Sequence, residues 1–183
     1  MKITERPSLK ALNSFGVEAA ARLLIQLDSE EDVLSMPPFD PAKDLLLGGG
    51  SNILITSDVP GTVWLNRITG RHIVDSNRDH VWVDAGSGEN WHDLVRWTLE
   101  KGLSGIENLS LIPGLAGAAP IQNIGAYGVE LSSVLESVTA WDRLKAGWTE
   151  LSTGDCQLAY RDSRFKSVEP GRYLVTSIRM RLN

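Results

Sequence analysis

Residues 113–128 read PGLAGAAPIQNIGAYG, an apolar stretch in which small residues are interrupted by two prolines. Prolines and glycines at this density disfavour a helix, so the stretch is predicted to be an extended loop. Small residues on such a loop allow a flat ring to lie against the backbone without meeting Cβ atoms. Gln122 and Asn123 supply polar groups that could orient the ring, and Tyr127 adds a hydroxyl on a flat face. A buried helix with packing glycines is the alternative interpretation.

A second glycine cluster, Gly48–Asn52 (GGGSN), directly follows the apolar segment Leu45–Leu47, which is predicted to be a strand. Successive backbone N–H groups, a hydroxyl and an amide suit an anion such as a pyrophosphate. No Gly-Lys-Ser/Thr follows, which excludes a Walker A loop. Ile53 opens a segment with strand character, Ile53–Ile55, which excludes a Rossmann turn into a helix. A glycine-rich β-turn without a ligand is the alternative.

The third motif is Ala159–Lys166 (AYRDSRFK), in which Tyr160 and Arg161 stand together. Because a guanidinium binds a carboxylate through two hydrogen bonds, Arg161 is a candidate anion-binding residue. The alternative is a surface ion pair between Arg161 and Asp162, which the spacing alone favours.

Hydrophobic periodicity predicts an α+β protein with two lobes, residues 1–66 and 67–183. The first lobe is predicted to be β-α-β-β, with a helix that begins after Ser29. In the second lobe, the apolar positions of Trp91–Leu99 indicate an amphipathic helix with Asn90 as N-cap and Gly102 as C′ residue. His92 is expected to be a solvated surface residue. The predicted strands are 22–27, 45–47, 53–55, 63–66, 72–75, 81–85, 134–141, 148–151 and 173–182.

The composition narrows the possible partners. The 183 residues include 18 Lys and Arg against 23 Asp and Glu, a net charge of −5, which disfavours a general nucleic-acid binder. A single cysteine, Cys156, excludes an intramolecular disulfide and a cysteine-based metal cluster, and no metal is expected. No apolar run approaches the roughly 18 residues of a membrane span, and the N-terminus lacks an apolar signal segment. We therefore expect a cytoplasmic protein without membrane contacts.

Together the motifs resemble the MurB family of UDP-N-acetylenolpyruvoylglucosamine reductases, specifically its N-terminal FAD-binding portion. The resemblance rests on NSFG (Asn13–Gly16), GGGSNIL, the long block from Gly86 to Leu131 and YRDSRFK. It implies a two-lobed FAD-binding fold of the vanillyl-alcohol-oxidase (PCMH) type that clasps a non-covalent FAD. It also implies an oxidoreductase of peptidoglycan synthesis, in which NADPH donates hydride and UDP-N-acetylglucosamine enolpyruvate is the substrate.

The resemblance assigns roles to individual residues. It implies that Arg161 is the catalytic arginine that binds the enolpyruvyl carboxylate, with Tyr127 and Tyr160 on the substrate side. The pyrophosphate would lie on the first glycine cluster, and the flavin along the apolar stretch and the last strand. The cofactor-binding residues so implied are Gly48, Gly49, Gly50, Ser51, Asn52, Gly114, Ala118, Ala119, Ile121, Gly125 and Val175.

The chain departs from the family in one respect. Members of the family use a serine of a third, substrate-binding domain as proton donor, and a glutamate near their C-terminus assists the arginine. Neither motif occurs before Asn183, so we expect that this domain is absent and that the chain alone is catalytically incomplete. Two other interpretations remain open: an FAD-dependent oxidase of the same fold, and a catalytically degenerate flavin-binding module.

Overall fold

The computed structural model describes residues 1–183. The chain divides into two compact units, Met1–Ile68 and Thr69–Asn183. The lobe boundary expected from the sequence lay between residues 66 and 67, and the division of the structure falls after Ile68.

The first unit is built on a four-stranded sheet in the order β1-β2-β4-β3. β1 runs antiparallel to β2, whereas β2, β4 and β3 are parallel to one another. The three parallel strands therefore end at the same edge of the sheet. The elements of this unit are β1 (Lys2–Glu5), β2 (Ala21–Leu27), α1 (Glu30–Leu34), β3 (Leu45–Leu47) and β4 (Val59–Asn66).

Two features of the first unit differ from the prediction. The predicted strand Ile53–Ile55 is wrong, because this segment pairs with no strand. The segment contains isoleucines because two of its side chains belong to the core of the unit: Ile55 is buried in this core and Ile53 packs against it. The edge strand β1 escaped prediction because every residue in it is exposed, so no hydrophobic pattern marks it. The helix expected after Ser29 is present, and the Ser29 side chain accepts a hydrogen bond from the Asp32 amide.

The second unit is built on a five-stranded antiparallel sheet in the order β10-β9-β11-β6-β5. The longest strand, β11, lies in the middle, and most of its side chains are buried on both faces of the sheet. The strands are β5 (Arg71–Ser76), β6 (Val81–Gly86), β9 (Leu135–Asp142), β10 (Gly147–Ser152) and β11 (Tyr173–Leu182), and a small hairpin is formed by β7 (Gly125–Ala126) and β8 (Val129–Glu130).

The helix α2 (Trp91–Glu100) packs its apolar side into the core of the second unit. Its N-cap is Asn90, whose side chain accepts from the Asp93 amide, and Gly102 follows its end in the left-handed region at φ 76°. Both caps agree with the sequence prediction. His92 is not simply a solvated residue, because its Nδ1 accepts a hydrogen bond from the Leu111 amide at 3.3 Å and contacts Ser110. No helix of the structure is both long enough and apolar enough to cross a membrane.

Candidate functional site

The segment 48–52 begins where β3 ends, at the edge of the first unit where the parallel strands terminate. Gly50 is buried and has φ 66°, and a Cβ placed there would lie 1.9 Å from the Leu12 carbonyl oxygen. This glycine is therefore required by packing against the protein itself. At Gly50 the backbone approaches residues 12 and 13 of the chain itself.

Asn13 and Ser14 hold the backbone that supports Gly50. The buried Asn13 side chain donates to the carbonyls of Leu9 and Val17 at 2.8 and 3.1 Å and accepts from the Val17 amide at 2.9 Å. The backbone amide of Ser14 donates to the Gly50 carbonyl at 3.0 Å. The NSFG motif thus acts as a scaffold for the glycine loop.

The glycine loop keeps its hydrogen-bond donors available. The backbone N–H groups of Gly49, Gly50, Ser51 and Asn52 donate to no protein acceptor. The side chains of Ser51 and Asn52 add a hydroxyl and an amide that lie at the surface of the unit. A row of free donors of this kind is suited to binding a phosphate or pyrophosphate.

In the second unit, residues 113–128 are not an extended loop, and that prediction is wrong. They form a 3₁₀ turn, Ala116–Ala118, followed by the short helix α3 (Ala119–Gln122). Pro120 is tolerated because it lies in the first turn, where its missing N–H has no helical acceptor. Gly117 lies against Ser87, and a Cβ there would be 2.5 Å from the Ser87 Cβ.

Most of the residues that the resemblance assigns to the flavin lie on this one segment. Ala118 is half-buried beside the buried Ala119, and Ile121 and Gly125 are partly exposed. Gly114 has φ 124°, and its carbonyl accepts from the Trp91 amide at 3.1 Å. Val175 is buried in β11, a strand that packs against the 3₁₀ turn.

Tyr127, Tyr160 and Arg161 lie at the tips of two tight turns. Tyr127 and Gly128 have φ angles of 51° and 79° and connect β7 to β8, as in a type I′ hairpin. Tyr160 and Arg161 connect Ala159 to Asp162, which form an isolated antiparallel bridge. The side chains of Tyr127 and Tyr160 are 88% and 82% exposed. A bulky residue at positive φ is strained, and such strain concentrates at functional sites.

The surface ion pair between Arg161 and Asp162 that the spacing favoured does not form. Arg161 Nη2 instead donates to the Gly125 carbonyl oxygen at 3.0 Å, and Arg161 takes part in no ion pair. The Asp162 carboxylate accepts a hydrogen bond from the Ser167 hydroxyl, which lowers the pKa of Asp162. The guanidinium of Arg161 thus remains available to an external carboxylate.

Asn123 connects the two motifs of the second unit, and the prediction that its amide orients a flat ring is wrong, because the side chain is buried and bonded to the protein. Its buried side chain donates to Glu130 Oε2 and to the Ala159 carbonyl, each at 2.9 Å, and accepts from the Ser132 amide at 3.2 Å. Its own φ of 41° ends α3 in the left-handed region. Asparagine before a glycine-rich turn is a weak signal of this geometry. Nothing in the sequence pattern reveals its partner 36 residues later.

Two further side chains, those of Ser163 and Lys166, attach the Arg161 turn to α3. Ser163 Oγ donates to the Ile121 carbonyl at 2.8 Å. Lys166 Nζ donates to the Arg161 carbonyl at 2.7 Å and to Gln122 Oε1 at 3.3 Å.

The single cysteine takes no part in the site, because burial raises the pKa of the Cys156 thiol to about 12.

Similarity to known proteins agrees with this geometry. Residues 22–146 match the family model described as FAD binding domain. The chain is 50% identical over 179 residues to a UDP-N-acetylenolpyruvoylglucosamine reductase of Alcanivorax borkumensis, covering 96% of the chain and 51% of that protein. It is 47% identical over 185 residues to the Pseudomonas aeruginosa protein of the same name, covering 100% of the chain and 54% of the relative. The chain spans about half the length of the curated relatives it matches.

Two solved structures share the fold. The UDP-N-acetylenolpyruvylglucosamine reductase (MurB) from Thermus caldophilus superposes with a TM-score of 0.81 at 26% identity, covering 100% of this chain and 63% of that one. Cholesterol oxidase from Brevibacterium sterolicum superposes with a TM-score of 0.66 at 14% identity, covering 100% of this chain and 38% of that one. At this identity the likeness shows only that the two proteins share a fold. The predicted α+β fold of the vanillyl-alcohol-oxidase type and the resemblance to the reductases are confirmed.

Proposed function

We propose that this chain, which belongs to the FAD-binding domain family, is the flavin-binding part of an NADPH-dependent reductase. The reaction would convert UDP-N-acetylglucosamine enolpyruvate to UDP-N-acetylmuramate for peptidoglycan synthesis. The names of relatives at 47% and 50% identity support this activity. We place the reaction in the cytoplasm, where NADPH and nucleotide sugars are available.

The observation that carries the proposal is the presentation of Arg161. The residue stands at the tip of a strained turn at φ 54°, forms no ion pair and is held to the Gly125 carbonyl. Holding an unpaired cation in this way is useful only if an anion binds there, because a solvated arginine needs no such turn. An oxidase that acts on a neutral alcohol would have no use for this arrangement.

The donors in the first unit fit the cofactor. The free N–H groups of residues 49–52 would hold the pyrophosphate of FAD, with Ser51 and Asn52 adding side-chain donors. The residues that the resemblance assigns to the flavin ring are Ala118, Ala119, Ile121, Gly125 and Val175. When bound, FAD would accept hydride from NADPH and deliver it to the β-carbon of the enol ether.

The role of Arg161 follows from the charge that develops on the substrate. Hydride addition to the β-carbon leaves negative charge at the α-carbon, which is delocalised into the attached carboxylate. A guanidinium that holds both carboxylate oxygens stabilises this charge, and the α-carbon then takes up a proton. Tyr127 and Tyr160 flank the substrate side on the neighbouring turn tips. We propose that the length of the relatives outside the match supplies the proton donor and the main contacts to the UDP-sugar.

The proposal is tested with a chimaera in which residues 1–183 replace the matched segment of the Alcanivorax borkumensis reductase. Under anaerobic conditions, NADPH should bleach the flavin absorption, and the enolpyruvyl sugar should restore it. An oxidase of the same fold would be reoxidised by oxygen and not by the sugar. A degenerate module would give a colourless protein that rejects added FAD, or a yellow one that neither reagent affects.

A further inference from the structure

Arg67, the first residue after β4, is a half-buried cation without an anionic partner. Its Nη1 donates to the carbonyl oxygens of Gly48 at 3.1 Å and Asn66 at 3.2 Å, and Arg67 forms no ion pair. Burial lowers the pKa of the Arg67 guanidinium, and the charge of Asp28 acts in the opposite direction. A guanidinium has five N–H donors and stays protonated in proteins. Because both hydrogen bonds of Arg67 start from Nη1, its Nη2 and Nε remain without acceptors. A desolvated charge that lacks a carboxylate is expected to meet an anion from outside the chain.

The topology places this cation next to the glycine loop. Leu47 of β3 is paired in parallel with Leu65 of β4, so residue 48, which follows β3, lies beside Asn66, the last residue of β4. The Arg67 amide also donates to the Leu27 carbonyl at the end of β2. Ligands of parallel sheets bind outside the carboxyl ends of the strands, which is the edge where Arg67 lies.

The hydrogen bond to Gly48 fixes the guanidinium against the loop. The neighbouring loop amides, from Gly49 to Asn52, donate to no protein group. Asp28, whose charge is the one that acts on Arg67, accepts a hydrogen bond from Gln26 Nε2 and does not pair with the arginine. Free amide donors and a guanidinium without an ion-pair partner at one edge form a site for a phosphate group with more than one negative charge.

We propose that Arg67 binds the pyrophosphate of FAD, together with the backbone amides of residues 49–52. This assignment rests on the proposed function, which puts FAD on the loop. It gives the loop the positive charge that its own five residues lack. It also explains why an arginine, and not a neutral residue, donates to the Gly48 carbonyl.

Titration of the 183-residue chain with FAD and with riboflavin tests the assignment, since riboflavin carries no phosphate. Arg67→Met should weaken FAD binding about 10- to 100-fold, the effect of losing a charge-assisted hydrogen bond, and should reduce its salt dependence. Riboflavin binding should not change. Arg67→Lys should fall between, because it keeps the charge and loses the fork. Arg22→Met is the matched control, an exposed arginine on β2 of the same sheet, and should bind FAD normally.

Protection of arginines from chemical modification provides a measurement on the wild-type chain. Phenylglyoxal should modify Arg67 slowly in the presence of inorganic pyrophosphate and faster without it, whereas Arg22 should react equally in both. Wild-type affinity of Arg67→Met for FAD, or no protection by pyrophosphate, would overturn the assignment. An equal loss of FAD and riboflavin binding would also overturn it, since Arg67 would then only support Gly48. If the wild-type chain fails to bind FAD at all, the proposed function itself fails.

Discussion

The Arg161 guanidinium donates from Nη2 to the carbonyl oxygen of Gly125 at 3.0 Å. Gly125 belongs to the segment assigned to the flavin, and Arg161 to the one assigned to the substrate. Two motifs that the sequence separates by 36 residues are thus parts of one structure. In the proposed function the flavin and the cation that stabilises the resulting charge must lie close together, and this hydrogen bond would hold Arg161 beside the segment proposed to line the flavin.

We predict that Asn123→Asp loosens the turn that carries Arg161. Aspartate keeps the size of asparagine but loses both N–H donors, and it places a carboxylate against Glu130. Because buried unsatisfied groups cost about 1–3 kcal/mol each, the melting temperature should fall by several degrees. Amide exchange at Asp162 should quicken.

The double variant Asn123→Asp/Glu130→Gln separates repulsion from lost anchoring. It removes the like charges but leaves the Ala159 carbonyl without its donor. Most of the melting temperature should recover, while exchange at Asp162 stays fast. Slow exchange at Asp162 in either variant would show that Asn123 does not hold the turn.

We predict that Gly49→Val and Asn52→Ala weaken FAD binding more than folding. Both residues are exposed, and neither has a positive φ, so the backbone accepts the changes. A Cβ branch at Gly49 would block close approach of the pyrophosphate, and Asn52→Ala removes a donor. Each should lower FAD affinity about 10- to 100-fold, corresponding to roughly 1.5–3 kcal/mol. An unchanged FAD titration of the folded variants would refute the pyrophosphate assignment.

Gly50→Ala is the contrasting variant in the same loop. Its Cβ would meet the Leu12 carbonyl at 1.9 Å, and its φ of 66° is unfavourable for alanine. It should therefore lower the free energy of unfolding by about 2 kcal/mol or more, measured without FAD.

We predict that acid destabilises the second unit through Asp142. The Arg172 guanidinium holds the pKa of this buried carboxyl below its ordinary value. Its contribution is therefore present above the ordinary aspartate range, about pH 4, and is lost as the pH falls through the lower folded-state pKa.

Thermal unfolding from pH 7 to pH 3 checks the contribution of Asp142. Asp142→Asn should lower the melting temperature at pH 7 and reduce its decline in acid. Glu100→Gln, which breaks the exposed pair with Arg96, should follow the wild type. Identical acid profiles for Asp142→Asn and the wild type would exclude this role.

We predict that the 183-residue chain alone binds FAD but shows no sugar-dependent consumption of NADPH. The chain matches about half of each relative, and binding energy from the non-reacting part of a substrate positions the reacting carbon. A positioned acid adds about 10²–10⁴ in rate. Sugar-dependent turnover by this chain under anaerobic conditions would mean that one of its own residues is the proton donor.

Local patterns predicted the framework of the fold well. The periodicity of Trp91–Leu99 and its caps located α2, and alternation located the long strand β11. The strand prediction at Ile53–Ile55 was wrong because these isoleucines contribute to the core without pairing in a sheet. In the sequence, apolar residues of such an irregular segment cannot be distinguished from a short strand. At Pro120 the density of prolines and glycines concealed a single helical turn, in which a proline at the start is harmless.

The connections within the candidate site could not be predicted, because they depend on tertiary contacts. The spacing of Arg161 and Asp162 favoured an ion pair, yet Arg161 binds Gly125 and Asp162 binds Ser167. Arg67 went unnoticed because its significance depends on β3 and β4 being parallel neighbours. A sequence motif shows which donors are present, but only the fold shows which of them remain unpaired.

The half-reactions of the chimaera carrying Arg161→Ala test the central claim most directly. In anaerobic stopped-flow measurements, FAD content and flavin reduction by NADPH should match the unsubstituted chimaera. Reoxidation by the enolpyruvyl sugar should slow by about 10²–10³, the usual effect of losing an electrostatic stabiliser. If reoxidation proceeds at the unsubstituted rate, Arg161 does not stabilise the charge on the substrate, and the account of this site is contradicted.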